Sequence, residues 1–143
     1  MWAHQATMLG ARPRQQGEYD DENEEERDSF EGGTMQLIEV LSAKRFADEK
    51  MQKVSLFDTA NCFCDLYCLK PGQSQKPHSH SGADKIYYVI EGEARIQVGD
   101  EEQVAGAGRI VLAPSDVVHG VRNASSQPLS LLVFMAPNPN VRA

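Results

Sequence analysis

Two stretches of sequence decide the fold of this chain, PGQSQKPHSH at residues 71–80 and GRIVLAPSDVVHGVRN at residues 108–123. The first contains His78 and His80, and the second contains His119. Side chains alternate between the two faces of a strand, so a His-x-His pair presents both imidazoles on one face. A third histidine in another strand-like run can close a three-nitrogen pocket. Such a pocket can bind a divalent transition metal and leave positions open for substrate or oxygen. We therefore predict that these three histidines are metal ligands.

These stretches resemble the two motifs of the cupin superfamily. The matching residues are Gly72, His78, His80 and Gly92 in the first motif and Gly108, Pro114, His119 and Asn123 in the second, with Asp116 where the family prefers glycine. The resemblance spans roughly residues 36–137. It implies an all-β fold, a double-stranded β-helix or jelly-roll barrel with a metal inside. Because barrels of this family commonly pair through their sheets, it also implies a homodimer.

One position departs from the family pattern, because the ligand glutamate of the first motif falls on Lys85. A protonated amine has no lone pair and cannot bind a metal. Either the site has three histidines, as in some cupin oxygenases, or the neighbouring Asp84 supplies an oxygen. Strand alternation places Asp84 and Lys85 on opposite sides, which favours three histidines. Lys85 then faces the cavity or, alternatively, extends to the rim and pairs with an acidic neighbour.

Lys85 and Tyr87 are the predicted catalytic residues, because they share the parity of one strand and face the same way. Desolvation would lower the pKa of a cavity-facing lysine, which could then pair with an anionic substrate or an oxygen species. The hydroxyl of Tyr87 would be a hydrogen-bond donor or a proton shuttle. The alternative for Tyr87 is an aromatic residue of the barrel wall.

Three functions are compatible with this pattern, since one fold hosts many functions. The leading hypothesis is a metal-dependent oxygenase that acts on a small organic substrate. The second is a metal-dependent isomerase, epimerase or lyase on a sugar or small acid. The third is a non-enzymatic module that binds a small ligand. The nitrogen-rich pocket suits Fe(II), which the oxygenase hypothesis favours, or Mn, Ni, Cu or Zn.

Composition divides the chain into two parts. Residues 1–33 carry nine acidic and three basic side chains, so most of the net charge of −7 belongs to this segment. Its few apolar residues cannot offset the entropy of ordering, so we predict a disordered acidic segment over residues 1–34. Residues 35–143 read as short apolar strands punctuated by turn residues, which predicts a single barrel domain.

Several classes of partner are excluded by the sequence. No apolar run is long enough for a membrane span, and no basic patch with interleaved aromatics predicts nucleic-acid binding.

The three cysteines, Cys62, Cys64 and Cys68, lie on one strand-like run. We therefore predict that they are buried residues of the barrel wall and do not form a disulfide framework. With no secretion signal visible, the expected location is the cytoplasm.

Overall fold

The structure is a computed structural model that describes residues 33–141 of the chain. The described residues form nine strands and a short 3-10 helix. The helix is Val40–Ala43, and the strands are β1 Gln52–Asp58, β2 Phe63–Leu69, β3 Ser74–His78, β4 Asp84–Glu91, β5 Glu93–Val98, β6 Glu101–Gly106, β7 Ile110–Ala113, β8 His119–Arg122 and β9 Leu129–Ala136. Within this range no helix has the length and apolar character needed to cross a membrane. Of the segment predicted to be disordered, residues 1–32 lie outside the described range, so disorder there stays a prediction.

The strands form two antiparallel sheets. The first has five strands in the order β1-β2-β9-β4-β7, and the second has four in the order β3-β8-β5-β6. Strands far apart in sequence therefore lie side by side, as β2 does with β9 and β3 with β8. Two sheets connected in this way form a jelly roll. The predicted all-β fold class is confirmed.

The core lies between the sheets and is built from alternate positions of the strands. On β9, Leu131 and Val133 are fully buried, whereas Phe134 is 40% exposed. On β4, Val89 is fully buried, whereas Tyr88 is exposed. A strand with one buried face must alternate in this way, so the apolar pattern sets which side chains point inward. The same alternation decides which polar side chains enter the barrel.

The turn between β4 and β5 requires Gly92. Its backbone has a φ of +84°, and a Cβ at this position would lie 2.3 Å from the carbonyl oxygen of Pro128. Only glycine meets both demands without strain. This close approach holds the β4–β5 turn against the chain that leads into β9.

The strands that carry the histidines have other bounds than the predicted runs at residues 77–81 and 117–121. β3 ends at His78, so His80 lies in the loop that follows, and β8 begins only at His119. Alternation along one strand therefore does not bring His78 and His80 together. The pairing of β3 with β8 shifts register between Gln75 and His78. Pro77 lies within this shift, where its missing N–H removes a ladder hydrogen bond.

The expectation for the cysteines is correct for two of the three. Cys64 and Cys68 are buried, but Cys62 is exposed. Cys62 precedes β2, in the turn that Thr59 closes by donating its backbone N–H to the Cys62 carbonyl oxygen, 2.9 Å away. All three thiols are free. The cytoplasmic location expected from the sequence stays a prediction.

Candidate metal centre

The three histidines predicted as ligands come together in the structure. His78, at the end of β3, pairs directly with His119, at the start of β8, and His80 follows in the loop after β3. The ring centroids are 4.6 Å apart for His78 and His119, 4.9 Å for His78 and His80, and 5.6 Å for His80 and His119. One ligand nitrogen from each ring lies within 4.8 Å of the others. This group could hold a divalent metal.

Hydrogen bonds to the backbone fix how two of the imidazoles are presented. Nδ1 of His78 lies 2.8 Å from the carbonyl oxygen of Lys76, and Nδ1 of His119 lies 3.1 Å from that of Val117. A carbonyl oxygen only accepts, so each Nδ1 carries the hydrogen and each Nε2 keeps its lone pair. Nε2 of His119 is buried and has no hydrogen-bond partner among the described residues. This donor set fits a divalent transition metal.

The surroundings also keep two of the rings neutral. Burial lowers the pKa of His119 to about 4, and the charge of Lys85 adds to this effect. Burial is the main cause that lowers the pKa of His80 below its ordinary value. A metal binds the neutral imidazole, so a lowered pKa favours binding near neutral pH.

Lys85 lies inside the barrel. Its side chain is 1% exposed, and Nζ donates a hydrogen bond of 3.0 Å to Oε1 of Gln75. The rim position considered from the sequence is therefore not observed. Burial, and to a smaller extent the charge of Lys53, lowers the pKa of Lys85 to about 7, although Asp65 opposes both effects. An amine with this pKa changes charge near neutral pH.

Tyr87 lies beside His119, with ring centroids 6.3 Å apart. It is fully buried, and its hydroxyl has no hydrogen-bond partner among the described residues. Burial raises the pKa of this hydroxyl, so Tyr87 keeps its proton. Lys85 Nζ lies 5.1 Å from the centre of the Tyr87 ring, so the two predicted catalytic side chains are neighbours.

Asp84 is the alternative oxygen ligand considered from the sequence. It is exposed, and Oδ1 accepts a hydrogen bond of 2.9 Å from the backbone N–H of Ser115. It is not part of the ligand group formed by the described residues. The geometry therefore supports the three-histidine alternative.

A cavity of about 470 Å³ adjoins His78 and His80. Four of its polar lining residues were not singled out from the sequence, namely Lys53, Asp65, Tyr67 and Gln75. Asp65 and Tyr67 alternate with Cys64, Leu66 and Cys68. Because the cysteines are the predicted buried face of this strand, parity alone does not place Asp65 and Tyr67 inside the barrel. Gln75 carried no local signal either, because its role depends on the approach of the opposite sheet.

The chain is similar to several other proteins over most of the described range. An uncharacterized protein from Streptomyces coelicolor is 32% identical over 102 residues, which cover 70% of this chain and 93% of that protein. A structure from Thermus thermophilus is 44% identical, with a TM-score of 0.72 over 73% of this chain and 100% of the other. An RmlC-like cupin protein from Desulfovibrio desulfuricans is 29% identical, with a TM-score of 0.67 over 73% of this chain and 99% of the other.

The model of the Cupin domain family matches residues 65–135. These residues run from β2 to β9 and include all three histidines. The two-sheet barrel, the histidine group and this match agree with one another. The chain therefore belongs to the cupin family.

Proposed function

We propose that this cupin is a metal-dependent oxygenase that acts on a small organic substrate. The observation that carries the proposal is the convergence of three imidazoles, a ligand group that no carboxylate joins among the described residues. Fe(II) is the favoured metal, and Mn, Ni, Cu or Zn are the alternatives. Bound Fe(II) would supply open coordination positions for a substrate and dioxygen.

Lys85 and Tyr87 are the proposed catalytic residues of this site. Protonated Lys85 would stabilise negative charge that develops on the substrate, and its burial strengthens that interaction. Tyr87 would donate a hydrogen bond from a hydroxyl that has no partner among the described residues. The two side chains enter from the five-stranded sheet, whereas His78 and His119 belong to the four-stranded sheet. A substrate in the cavity between the sheets would meet Lys85 from one sheet and His78 from the other, because both line it.

A second candidate is an isomerase, epimerase or lyase acting on a sugar or small acid. The observation that favours it is the environment of Lys85, whose pKa is lowered to about 7. An amine with this pKa is partly neutral near pH 7, and a neutral amine can accept a proton. Tyr87 keeps its own proton and would act as the acid. Chemistry of this kind needs no dioxygen.

The test is elemental analysis of the purified protein beside His78→Ala, with His4→Ala as the control histidine substitution. We expect close to one metal per chain in the wild type and in the control, and loss of the metal in His78→Ala. Oxygen uptake with diketone, thiol or phenolic substrates that requires Fe(II) would support the oxygenase. Turnover under strict anaerobiosis with Zn or Mn would favour the second candidate. A wild type that binds no metal would contradict both and leave a small-ligand-binding module.

The homodimer implied by the family is also part of this proposal. The outer face of β9, β4 and β7 carries apolar side chains that the strand register places side by side: Leu132, Phe134, Ile86, Tyr88, Ile110 and Leu112. Ile110 is 67% exposed and Leu112 is 56% exposed. An apolar face of this kind favours association. Light scattering should give twice the 15.8 kDa mass of one chain.

Substituting this face should separate the subunits. We expect Ile110→Asp to give the mass of one chain, and Val118→Asp, an exposed apolar position in the loop before β8, to leave the dimer intact. A wild type that already has the mass of a single chain would contradict the homodimer.

A further inference from the structure

The cavity beside the histidines carries an excess of positive charge. Lys53, Lys76 and Lys85 line it, and Asp65 is the single carboxylate among the described lining residues. Lys85 is buried, whereas Lys53 is exposed at the end of the cavity near solvent. A cleft lined mainly by one sign of charge concentrates ligands of the opposite sign.

None of these three amines forms an ion pair with a carboxylate of the described residues. Among the described residues, Lys44 pairs with Glu91 and Lys70 with Asp48, but neither Lys53 nor Lys85 forms an ion pair. The one hydrogen bond from the Lys85 amine goes to Gln75, although a protonated amine can donate three. Asp65 lines the same cavity but forms no ion pair with Lys85, so an anionic ligand would stabilise this buried cation further.

Tyr67 brings the two amines to the same part of the cavity. Nζ of Lys53 lies 5.5 Å from the centre of the Tyr67 ring, and Nζ of Lys85 lies 5.3 Å from it. Gln75 forms hydrogen bonds with Lys85 and with Tyr67. Its Oε1 accepts from the Lys85 amine, and its Nε2 donates to the Tyr67 hydroxyl, 3.3 Å away. The Tyr67 ring, held by this hydrogen bond, therefore lies close to the amines of both Lys53 and Lys85.

We propose that this cavity binds a small organic monocarboxylate, whose charged group lies between Lys53 and Lys85. The inference rests on the proposed function, because it names the substrate class of that site. The remainder of the ligand would lie against Phe63 and Met135, two apolar residues of the same lining. A second carboxylate on the ligand would meet repulsion from Asp65.

A phosphate is a poorer fit than a carboxylate. Phosphates are commonly bound by arginine forks or by the N–H groups at a helix N-terminus. Neither an arginine nor a helix is among the described residues that line the cavity. The apolar part of the lining also suits an organic ligand better than an inorganic ion.

The experiment is an NMR-detected titration of the full chain, loaded with Zn(II), with lactate and with lactamide, its neutral counterpart. We expect lactate to bind at least about tenfold more tightly than lactamide, because hydrogen bonds to charged groups are the stronger ones. Lys85→Met should weaken lactate binding by about tenfold or more. Lys53→Gln should weaken it by about three- to fivefold, because this amine is exposed. Lys50→Gln, a control at an exposed lysine outside the cavity lining, should change nothing.

The outcomes separate this inference from the metal proposal. Equal affinities for lactate and lactamide, or tighter binding of inorganic phosphate, would overturn the carboxylate assignment. Unchanged lactate binding in Lys53→Gln and Lys85→Met would do the same, and if Lys85→Met does not fold, Lys53→Gln decides alone. Metal content is measured on the same samples. Lysine-dependent lactate binding by a protein that takes up no metal would sustain this inference and contradict the proposed oxygenase.

Discussion

The amine of Lys85 lies 3.0 Å from Oε1 of Gln75, and this hydrogen bond crosses the inside of the barrel. Lys85 belongs to β4 of the five-stranded sheet, and Gln75 belongs to β3 of the four-stranded sheet that also carries His78. Lys85 stands at the position where the cupin motif has a ligand glutamate, so an amine replaces a carboxylate there. Substitutions at position 85 should therefore affect both metal binding and the pH dependence of stability.

Lys85→Glu should tighten the binding of a divalent metal. The substitution removes a positive charge close to the histidines and introduces a carboxylate at the ligand position of the motif. We expect the dissociation constant to fall by about tenfold or more, since changes around a metal centre commonly alter affinity on that scale. Competition with a chromophoric chelator measures the change.

The control is Lys53→Glu, which makes the same change of charge at a more exposed position lining the same cavity. It should tighten metal binding only slightly, because exposed charges are well screened. Equal effects of the two substitutions would mean that charge alone acts and that the carboxylate introduced at position 85 is not a ligand.

Gly92→Ala should destabilise the fold more than the same substitution at any other positive-φ glycine of residues 33–141. The added Cβ would lie 2.3 Å from the Pro128 carbonyl oxygen, and backbone on both sides would have to move. The left-handed backbone alone costs alanine about 1–2 kcal/mol, and the clash adds to it. Urea denaturation measures the loss in the free energy of unfolding.

Gly108→Ala is the matched control, because Gly108 has a φ of +85° but nothing lies within 4 Å of the position that an added Cβ would take. It should lose only the conformational part, about 1–2 kcal/mol. Similar losses in the two variants would show that the β4–β5 turn relaxes freely and that the close approach to Pro128 contributes nothing.

Much of the barrel could be predicted because burial imposes a period of two on each strand. On β5, the alternation of the buried Ala94 and Ile96 with the polar Arg95 and Gln97 separates inward from outward positions without knowledge of the neighbours. The inward orientation of Lys85 follows from the same rule. These features depend only on local sequence, so they can be predicted from a single chain.

The features that could not be predicted depend on long-range contacts or on local departures from regular strand structure. His80 lies beyond the end of β3, because the register shift around Pro77 ends the regular ladder. Gln75 matters only because β3 faces β4 across the barrel, and no local pattern marks it. Cys62 is exposed because β2 begins one residue later.

Asn123→Asp should destabilise the protein although it preserves the shape of the side chain. Nδ2 of Asn123, which is fully buried, donates to the carbonyl oxygens of Leu69 at 3.0 Å and of Gln127 at 2.7 Å. A carboxylate would face these two acceptors with no hydrogen to donate. We expect a loss on the order of 3 kcal/mol in the free energy of unfolding.

Asn61→Asp provides the comparison for this effect. Asn61 is exposed, so the same change of an amide to a carboxylate should alter stability by less than about 0.5 kcal/mol. Chemical denaturation of both variants at pH 7 measures the difference. A small loss in Asn123→Asp would mean that the chain around Leu69 and Gln127 does not depend on this side chain.

The buried amine of Lys85 should make the metal-free protein more stable as the pH rises above 7. Its pKa is about 7 in the folded state, against an ordinary value of 10.5. Between these two values the unfolded chain binds more protons than the folded chain, so raising the pH favours folding. From pH 7 to pH 8.5 the gain should be about 1–2 kcal/mol. Above that range Cys64 opposes the trend, because burial raises the pKa of its thiol from 9.0 to about 11.

Lys85→Met removes the titrating group and keeps most of the buried volume. The variant should be more stable than the wild type at pH 7, and its advantage should shrink as the pH rises to 8.5. Urea denaturation of both proteins in the presence of a chelator measures this difference, in which the contributions of the cysteines cancel. A constant difference across this range would mean that Lys85 keeps an ordinary pKa inside the barrel, and that its amine stays protonated beside the histidines.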